Sequence, residues 1–112
     1  MEIKNFFYDQ EIEFEDLGNG IKRKIKSYSD ELMVVEVHFK KGAIGSVHEH
    51  FHAQCTYVLE GEFEFEVDGV KKLVKTGDSI YMQKDVSHGA VCVKDGILLD
   101  IFTPARQDFL NK

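Results

Sequence analysis

The stretch from Phe63 to Gly69 reads Phe-Glu-Phe-Glu-Val-Asp-Gly, and it constrains the fold of this chain more than any other segment. Apolar and charged residues alternate strictly over residues 63–67, which is the pattern of a β-strand with one buried and one wetted face. Asp68-Gly69 is a pair that favours a two-residue hairpin turn. Because residues 71–74 read as a returning strand, the segment predicts an antiparallel β-hairpin.

The same alternation recurs along the chain, where glycines mark the breaks and proline occurs once. Further strands are predicted at residues 21–26, 33–39, 79–82, 88–93 and 97–102, with a turn at 94–96 between the last two. The one candidate helix is the tail 104–112, with Pro104 in its first turn. Many short strands with turn signals roughly every 8 to 12 residues predict an all-β barrel or sandwich of the jelly-roll kind.

The composition bounds the class of protein further. A chain of 112 residues is long enough for one hydrophobic core and predicts one domain. Its net charge of -6 disfavours nucleic acid as a partner. The sequence contains no signal-peptide pattern and no long apolar run, so we expect a cytoplasmic protein without a membrane partner. Cys55 and Cys92 are expected to be small buried hydrophobes rather than a disulfide.

Three histidines stand on alternate positions, His48, His50 and His52, and Gln54 follows in the same phase. An extended strand over residues 47–54 would place all four side chains on one face. Two histidines spaced i, i+2 on a strand can meet one metal ion, whereas a lone histidine near a loop is ordinarily just solvated. Their clustering favours a metal site, and the sequence leaves open whether His52 belongs to it. His38, by contrast, is in phase with outward-facing residues and is assigned no chemical role.

The spacing of these residues resembles the first motif of the cupin family, G-x5-H-x-H-x3-E-x6-G. Gly42, His48, His50, Gln54 and Gly61 occupy its fixed positions, with Gln in place of the usual Glu. The resemblance implies a cupin jelly-roll β-barrel, also called a double-stranded β-helix. One cupin domain would then span residues 1–112, with the barrel motifs at about 33–104.

The second cupin motif, G-x5-P-x-G-x2-H-x3-N, is matched more weakly. Gly77 and His88 stand at their expected positions, while Gln83, Asp85 and Cys92 replace the usual Pro, Gly and Asn. Under the resemblance, His88 is the remaining histidine ligand.

The segment 98–110 is similar to a narrower group, the small pectin-degradation cupins of KdgF type, which linearise 4,5-unsaturated uronates from pectin or alginate. It carries the pattern Asp-x-Phe-x-Pro-x-Arg-x-Asp-Phe-Leu. The resemblance implies two sets of site residues, the metal ligands His48, His50, Gln54 and His88, and the reaction residues Asp100, Phe102 and Arg106. It also implies a small anionic sugar-acid substrate and a linear keto-aldehyde product.

The residue types suit that chemistry. Imidazoles and an amide oxygen are uncharged, so they would leave a divalent ion its full charge, and they suit nickel, zinc, iron, manganese or cobalt alike. Asp100 lies in an otherwise apolar strand, where burial of an acid is costly, and is a candidate proton carrier. Arg106 offers a planar fork for a carboxylate, and Phe102 would shape the pocket.

Two other functions are compatible with the same residues. A cupin dioxygenase would use a redox metal to bind oxygen as well as substrate. A non-catalytic sensor would bind a small molecule without turnover, although the chain has neither spare length nor basic charge for an attached DNA-binding unit. The strands 33–39 and 97–102 are too apolar for one fully wetted face, which predicts a covered face and a homodimer.

Overall fold

The computed structural model of the protein describes residues 2–111, whose elements are eight antiparallel β-strands and two short helical turns. A 3-10 turn at Asp9–Glu11 precedes the sheet, and α1 is the four-residue helix Gln107–Leu110. The strands are β1 (Glu15–Gly18), β2 (Ile21–Tyr28), β3 (Met33–Phe39), β4 (Ile44–His48), β5 (Ala53–Val67), β6 (Val70–Lys75), β7 (Ser79–Met82) and β8 (His88–Thr103).

Two long strands, β5 and β8, form the spine of the barrel. They pair with each other from Ala53 opposite Thr103 to Val67 opposite His88. One half of β8 also pairs with β3 and the other half with β4, while β5 pairs with β7 and then β6. Because each long strand serves both halves of the sheet, the sheet wraps around a single interior. The predicted all-β jelly-roll barrel is thereby confirmed.

The predicted hairpin at Asp68-Gly69 is present and joins β5 to β6, with Val67 opposite Val70. Both turn residues have positive φ, 50° for Asp68 and 79° for Gly69, which is the geometry of a type I′ turn. The turn residues seen in the sequence therefore determine this register directly.

The interior of the barrel is filled by the inward residues of alternating strands. Strand β3 shows the alternation most clearly, since every second residue from Met33 to Phe39 is buried. The rings of Phe39 and Phe63 meet edge to face at 5.2 Å between centroids. Val35 and Phe39 also line a cavity, so the hydrophobic core continues directly into the floor of that cavity.

Three local predictions were wrong. Residues 88–93 and 97–102 are not separate strands around a turn at 94–96 but one continuous β8. The extended strand predicted over 47–54 is interrupted, because β4 ends at His48 and β5 begins at Ala53. Pro104 lies before the C-terminal helix rather than in its first turn.

The cysteines are both free, and only one behaves as predicted. Cys92 is buried, and its thiol donates to the carbonyl oxygen of Lys94 at 3.0 Å. Cys55 is exposed, because it occupies an outward position of β5 between the buried residues Gln54 and Thr56. His38 lies toward the outer face, where its Nε2 is 2.6 Å from Glu36 Oε2.

Within residues 2–111, no helix has the length and apolar character needed to cross a membrane.

Gly61 lies at a close approach of the β5 and β8 backbones. Its φ is +89°, and a Cβ atom built on it would lie 2.5 Å from the carbonyl oxygen of Asp95 and 2.7 Å from Gly96 Cα. The ladder between the two strands is irregular on both sides of this position. Only glycine has room here, so the irregular pairing of the two long strands at this point depends on Gly61.

We expect Gly61→Ala to lower the free energy of unfolding by about 3 kcal/mol or more, since it combines left-handed strain with a backbone clash. Gly77→Ala is the matched control, because Gly77 has φ +96° but nothing within 4 Å of a built Cβ. The control should lose only the strain, about 1–2 kcal/mol. Urea denaturation measures both losses, and equal losses would contradict the close approach.

Candidate active site

Strand pairing brings together residues from two distant parts of the sequence. His48 is the last residue of β4 and lies directly opposite His88, the first residue of β8. Gln54 is the second residue of β5, and His50 lies in the connection between β4 and β5. The two motifs recognised in the sequence therefore meet at one end of the barrel.

The three histidines His48, His50 and His88 form one cluster. Their candidate ligand nitrogens all lie within 4.8 Å of one another. The ring centroid of His88 is 4.5 Å from that of His48 and 4.8 Å from that of His50. The three side chains differ in exposure, since His88 is buried and His48 is exposed to solvent. An ion can therefore reach the cluster from the side of His48.

The orientation of each ring in this cluster is set by its own segment of backbone. Each Nδ1 lies within hydrogen-bond distance of a carbonyl oxygen two residues away, and as a donor it leaves Nε2 with its lone pair. The pairs are His48 with Ser46 at 2.8 Å, His50 with His52 at 3.0 Å and His88 with Val86 at 3.0 Å. Three Nε2 acceptors are thus presented to a shared space.

The atoms facing this space fit a cation. Nε2 of His88 is buried, and none of the described residues gives it a hydrogen-bond partner. Nε2 of His50 is 3.1 Å from Oε1 of Gln54, and with the His50 proton on Nδ1 both atoms are acceptors. Two lone pairs facing each other are repulsive unless a positive centre lies between them. A divalent ion bound by three imidazoles and one amide oxygen satisfies all of these atoms.

The environments of His50 and His88 disfavour a second proton on either ring. Burial lowers the pKa of His88 to about 4, and the positive charge of Arg106 acts in the same direction. Burial also lowers the pKa of His50, with a further contribution from Arg106. Neutral imidazoles are the form that binds metal.

His52 lies outside the cluster despite its phase in the sequence. Its ring stacks against Phe51 at 4.0 Å between centroids, and its buried Nδ1 has no hydrogen-bond partner among the described residues. Its contribution to the cluster comes from its carbonyl oxygen, which orients His50. The break in the strand at residues 49–52 is the reason that the four side chains do not share one face.

Asp100 points into the barrel, and its partial exposure is toward the cavity that it lines. Its Oδ1 accepts a hydrogen bond of 2.7 Å from the Thr56 hydroxyl. Desolvation raises the pKa of Asp100 to about 6, although hydrogen bonds from Thr56 and Gln54 oppose the shift. A carboxyl group with this pKa can both accept and release a proton near neutral pH.

Arg106 and Phe102 complete the predicted set. The Arg106 side chain is bound through Nε and Nη2 to the two carboxylate oxygens of Asp108, at 3.0 and 2.8 Å. Its guanidinium lies 4.2 Å from the centroid of the Phe109 ring. One edge of the guanidinium is therefore bound to Asp108, and its remaining N–H groups can donate to a ligand. Phe102 is buried, with its ring packed edge to face against His50 at 5.7 Å.

These groups line one cavity of about 190 Å³. The predicted site residues on its wall are His48, Gln54, His88, Asp100, Phe102 and Arg106. His50 instead borders an adjoining depression, which shares Arg106 with the cavity. The structure thus places six of the seven predicted residues on one surface and the seventh directly beside it.

Arg23 also lines this cavity and was missed in the sequence. Its Nε donates to Oε1 of Glu15 at 2.9 Å, and its guanidinium lies 3.8 Å from the centroid of the Phe109 ring. Arg23 shares its phase with Ile21 and Ile25, which would have indicated an inward position. The basic character of the surrounding residues obscured that signal.

Comparisons with known proteins agree with this arrangement. A family model described as a cupin domain matches residues 35–102. The pectin degradation protein KdgF of Dickeya dadantii is 48% identical over 110 residues, which is 96% of this chain and 100% of that protein. A solved structure of KdgF from Halomonas sp. has a TM-score of 0.90 at 38% identity, covering 95% of this chain and 98% of that one.

A second solved structure is equally similar in shape. It is an RmlC-like cupin from Shewanella frigidimarina, with a TM-score of 0.91 and 49% identity over 95% of this chain and 96% of that one.

The raised pKa of Asp100 has a consequence for stability. Because the folded-state pKa, about 6, lies above the ordinary aspartate pKa of 3.8, the protonated carboxyl favours the fold, and that stability is lost as pH rises through 6. We therefore expect metal-free Asp100→Asn to gain about 2 kcal/mol relative to the wild type when the pH is raised from 4 to 8.

Urea denaturation of both proteins across this pH range measures the difference. Asp68→Asn is the control, since Asp68 lies exposed in the β5–β6 turn and should show no such trend. A difference between Asp100→Asn and the wild type that does not change with pH would contradict the buried, raised-pKa carboxyl.

Proposed function

Because the chain belongs to the cupin family and matches pectin-degradation proteins of KdgF type over nearly its whole length, we propose that it opens the ring of 4,5-unsaturated uronates. The product is a linear keto-aldehyde uronate of pectin or alginate breakdown. The observation that carries the proposal is the cavity that His48 and His88 of the histidine cluster share with Asp100, a half-buried carboxyl group of raised pKa.

The cofactor in this proposal is one divalent transition metal ion, held by His48, His50, Gln54 and His88. Nickel, zinc, iron, manganese and cobalt all suit this set of nitrogen and oxygen ligands. Because none of these ligands is charged, the bound ion would keep its full positive charge. It would then act as a strong Lewis acid and favour a substrate that carries a carboxylate.

The substrate is a small anionic sugar acid. The cavity volume of about 190 Å³ suits one sugar unit. The free donors of Arg106 and the guanidinium of Arg23 offset the negative charge of the substrate. Phe102 and the apolar floor exclude water, which strengthens these electrostatic interactions.

Asp100 moves the proton. The ionised carboxylate accepts the proton of the C1 hydroxyl, the bond between C1 and the ring oxygen breaks, and C1 becomes an aldehyde. The electron pair released to the ring oxygen forms an enolate across C4 and C5. Asp100 then delivers the same proton to C4, which leaves a ketone at C5, so the reaction is a redox-neutral isomerisation. The pKa of about 6 suits both halves of this transfer.

The decisive experiment follows the ultraviolet absorbance of the uronate double bond after the purified protein is added, with and without chelator. Metal-dependent loss of absorbance without oxygen consumption supports the proposal. Oxygen consumption would instead indicate a dioxygenase, and binding without turnover would indicate a sensor.

We expect Asp100→Asn to lower turnover at least about 100-fold, which is the scale of a lost general acid-base group. Its metal content should stay at the wild-type level, because Asp100 is not among the proposed ligands. Initial rates and elemental analysis of the same preparation measure both quantities, with Asp68→Asn as the active control. Normal turnover by Asp100→Asn would refute the role of Asp100.

We also propose that residues 1–112 act as one cupin domain in the cytoplasm, where two free cysteines are ordinary. The proposed homodimer would use the outer face of the barrel. On that face Tyr81, Cys55, Ile101 and Val34 form one continuous row across β7, β5, β8 and β3. A largely apolar row of this length favours a covered surface.

Sedimentation velocity tests the dimer. We expect the wild type to sediment as a dimer and Tyr81→Arg to sediment as a monomer, because Tyr81 is 61% exposed at the end of the row. Leu73→Arg is the control, since Leu73 is 72% exposed on β6, outside the row. A monomeric wild type, or dissociation by the control as well, would count against this interface.

A further inference from the structure

Thr56 lies between the proposed metal ligand Gln54 and the proton carrier Asp100, and no motif in the sequence assigns it a role. It is fully buried on β5, with no exposed surface. Its hydroxyl oxygen is 2.9 Å from Nε2 of Gln54 and 2.7 Å from Oδ1 of Asp100. We propose that Thr56 is a positioning residue that determines which end of the Gln54 amide faces the histidines. The proposal rests on the metal site proposed above.

The direction of the hydrogen bonds follows from the number of protons available. A threonine hydroxyl has one proton to donate, and the Asp100 carboxylate can only accept. Once the proton is directed at Asp100, the hydroxyl oxygen can only accept from Gln54. Gln54 must therefore present its NH2 group to Thr56, and its carbonyl oxygen turns toward His50, from whose Nε2 it lies 3.1 Å.

The opposite orientation of the amide is disfavoured at both ends. It would bring the amide oxygen against the hydroxyl oxygen of Thr56, so that two acceptors face each other. It would also present an NH2 group, which cannot ligate a metal, to the histidine cluster. The two ends of an amide have nearly the same shape, so packing alone does not choose between them. The Thr56 hydroxyl makes this choice together with the Asp100 carboxylate, which also accepts from the Gln54 amide and favours the same orientation.

Backbone pairing holds Thr56 in the required place. Thr56 lies directly opposite Asp100 in the β5–β8 ladder, and Gln54 is two residues away on the same face of β5. The β-branched side chain restricts χ1, and the other flank of Thr56 pairs with Ile80 of β7. The hydroxyl is therefore fixed by a central strand, out of reach of solvent.

The test measures zinc affinity of the metal-free protein by competition with a chromophoric chelator, with no substrate present. We expect Thr56→Val to weaken zinc binding about 10- to 100-fold, the usual effect of losing a hydrogen-bond partner of a ligand. Thr56→Ser keeps the hydroxyl and should stay within about threefold of the wild type. Thr76→Val removes an exposed hydroxyl in the β6–β7 turn and should change nothing.

The same substitution in a Gln54→Glu protein distinguishes an effect on the orientation of the amide from an effect on packing around Thr56. In Gln54→Glu the ligand is a carboxylate with two equivalent oxygens, so no hydroxyl is needed to choose between them. We therefore expect Thr56→Val to cost less than about threefold in zinc affinity when it is combined with Gln54→Glu. Thr56→Ala is included in the same comparison in case the Thr56→Val protein does not fold. Circular dichroism checks the folding of each variant.

Three outcomes would overturn the proposal: unchanged zinc affinity in both Thr56→Val and Thr56→Ala, an equal loss with and without Gln54→Glu, or a wild type that binds no zinc. The failure of the proposed reaction is a separate result. If the wild type leaves uronate unchanged but the affinities follow the expected pattern, the reaction is wrong and the role of Thr56 stands.

Discussion

The long antiparallel pairing of β5 with β8 is the interaction on which the rest of the structure depends. It places Gln54 opposite Phe102 and Thr56 opposite Asp100. The proposed metal ligand and the proposed proton carrier therefore enter the same interior from neighbouring strands. A slip of one residue would turn every side chain of one strand to the other face, so this register is essential both to the core and to the cavity.

Local features of the sequence predicted the fold where local chemistry decides the structure. Strict alternation and the Asp68-Gly69 pair are sufficient for the β5–β6 hairpin. At residues 94–96 the same kind of reasoning failed, because Gly96 is required for another purpose. A Cβ atom built on Gly96 would lie 2.5 Å from the carbonyl oxygen of Glu60, so the glycine permits a close approach of β8 to β5 rather than a turn. Such approaches depend on partners distant in sequence and leave no local pattern.

In the candidate site, too, local spacing was predictable from the sequence and contacts between distant segments were not. Motif spacing, together with the resemblance it carries, indicated His48, His50, Gln54 and His88. It did not indicate that residues 49–52 leave the strand, because that depends on where β4 stops pairing with β8. The position of Arg23 depends on which face of β2 turns inward and on Phe109, which is remote in sequence. Contacts of this kind are decided by tertiary packing.

The histidine rings are oriented by carbonyl groups of their own segments, at 2.8 to 3.0 Å. In the proposed metal site, an incoming ion would therefore meet side chains whose rotamers are already selected, and its binding would cost little conformational entropy. The free-energy cost of this arrangement arises during folding instead, because the fold keeps mutually repulsive lone pairs close together. For such a protein, exchange of one ion for another is expected to leave the barrel unchanged and to alter mainly the electronic character of the centre.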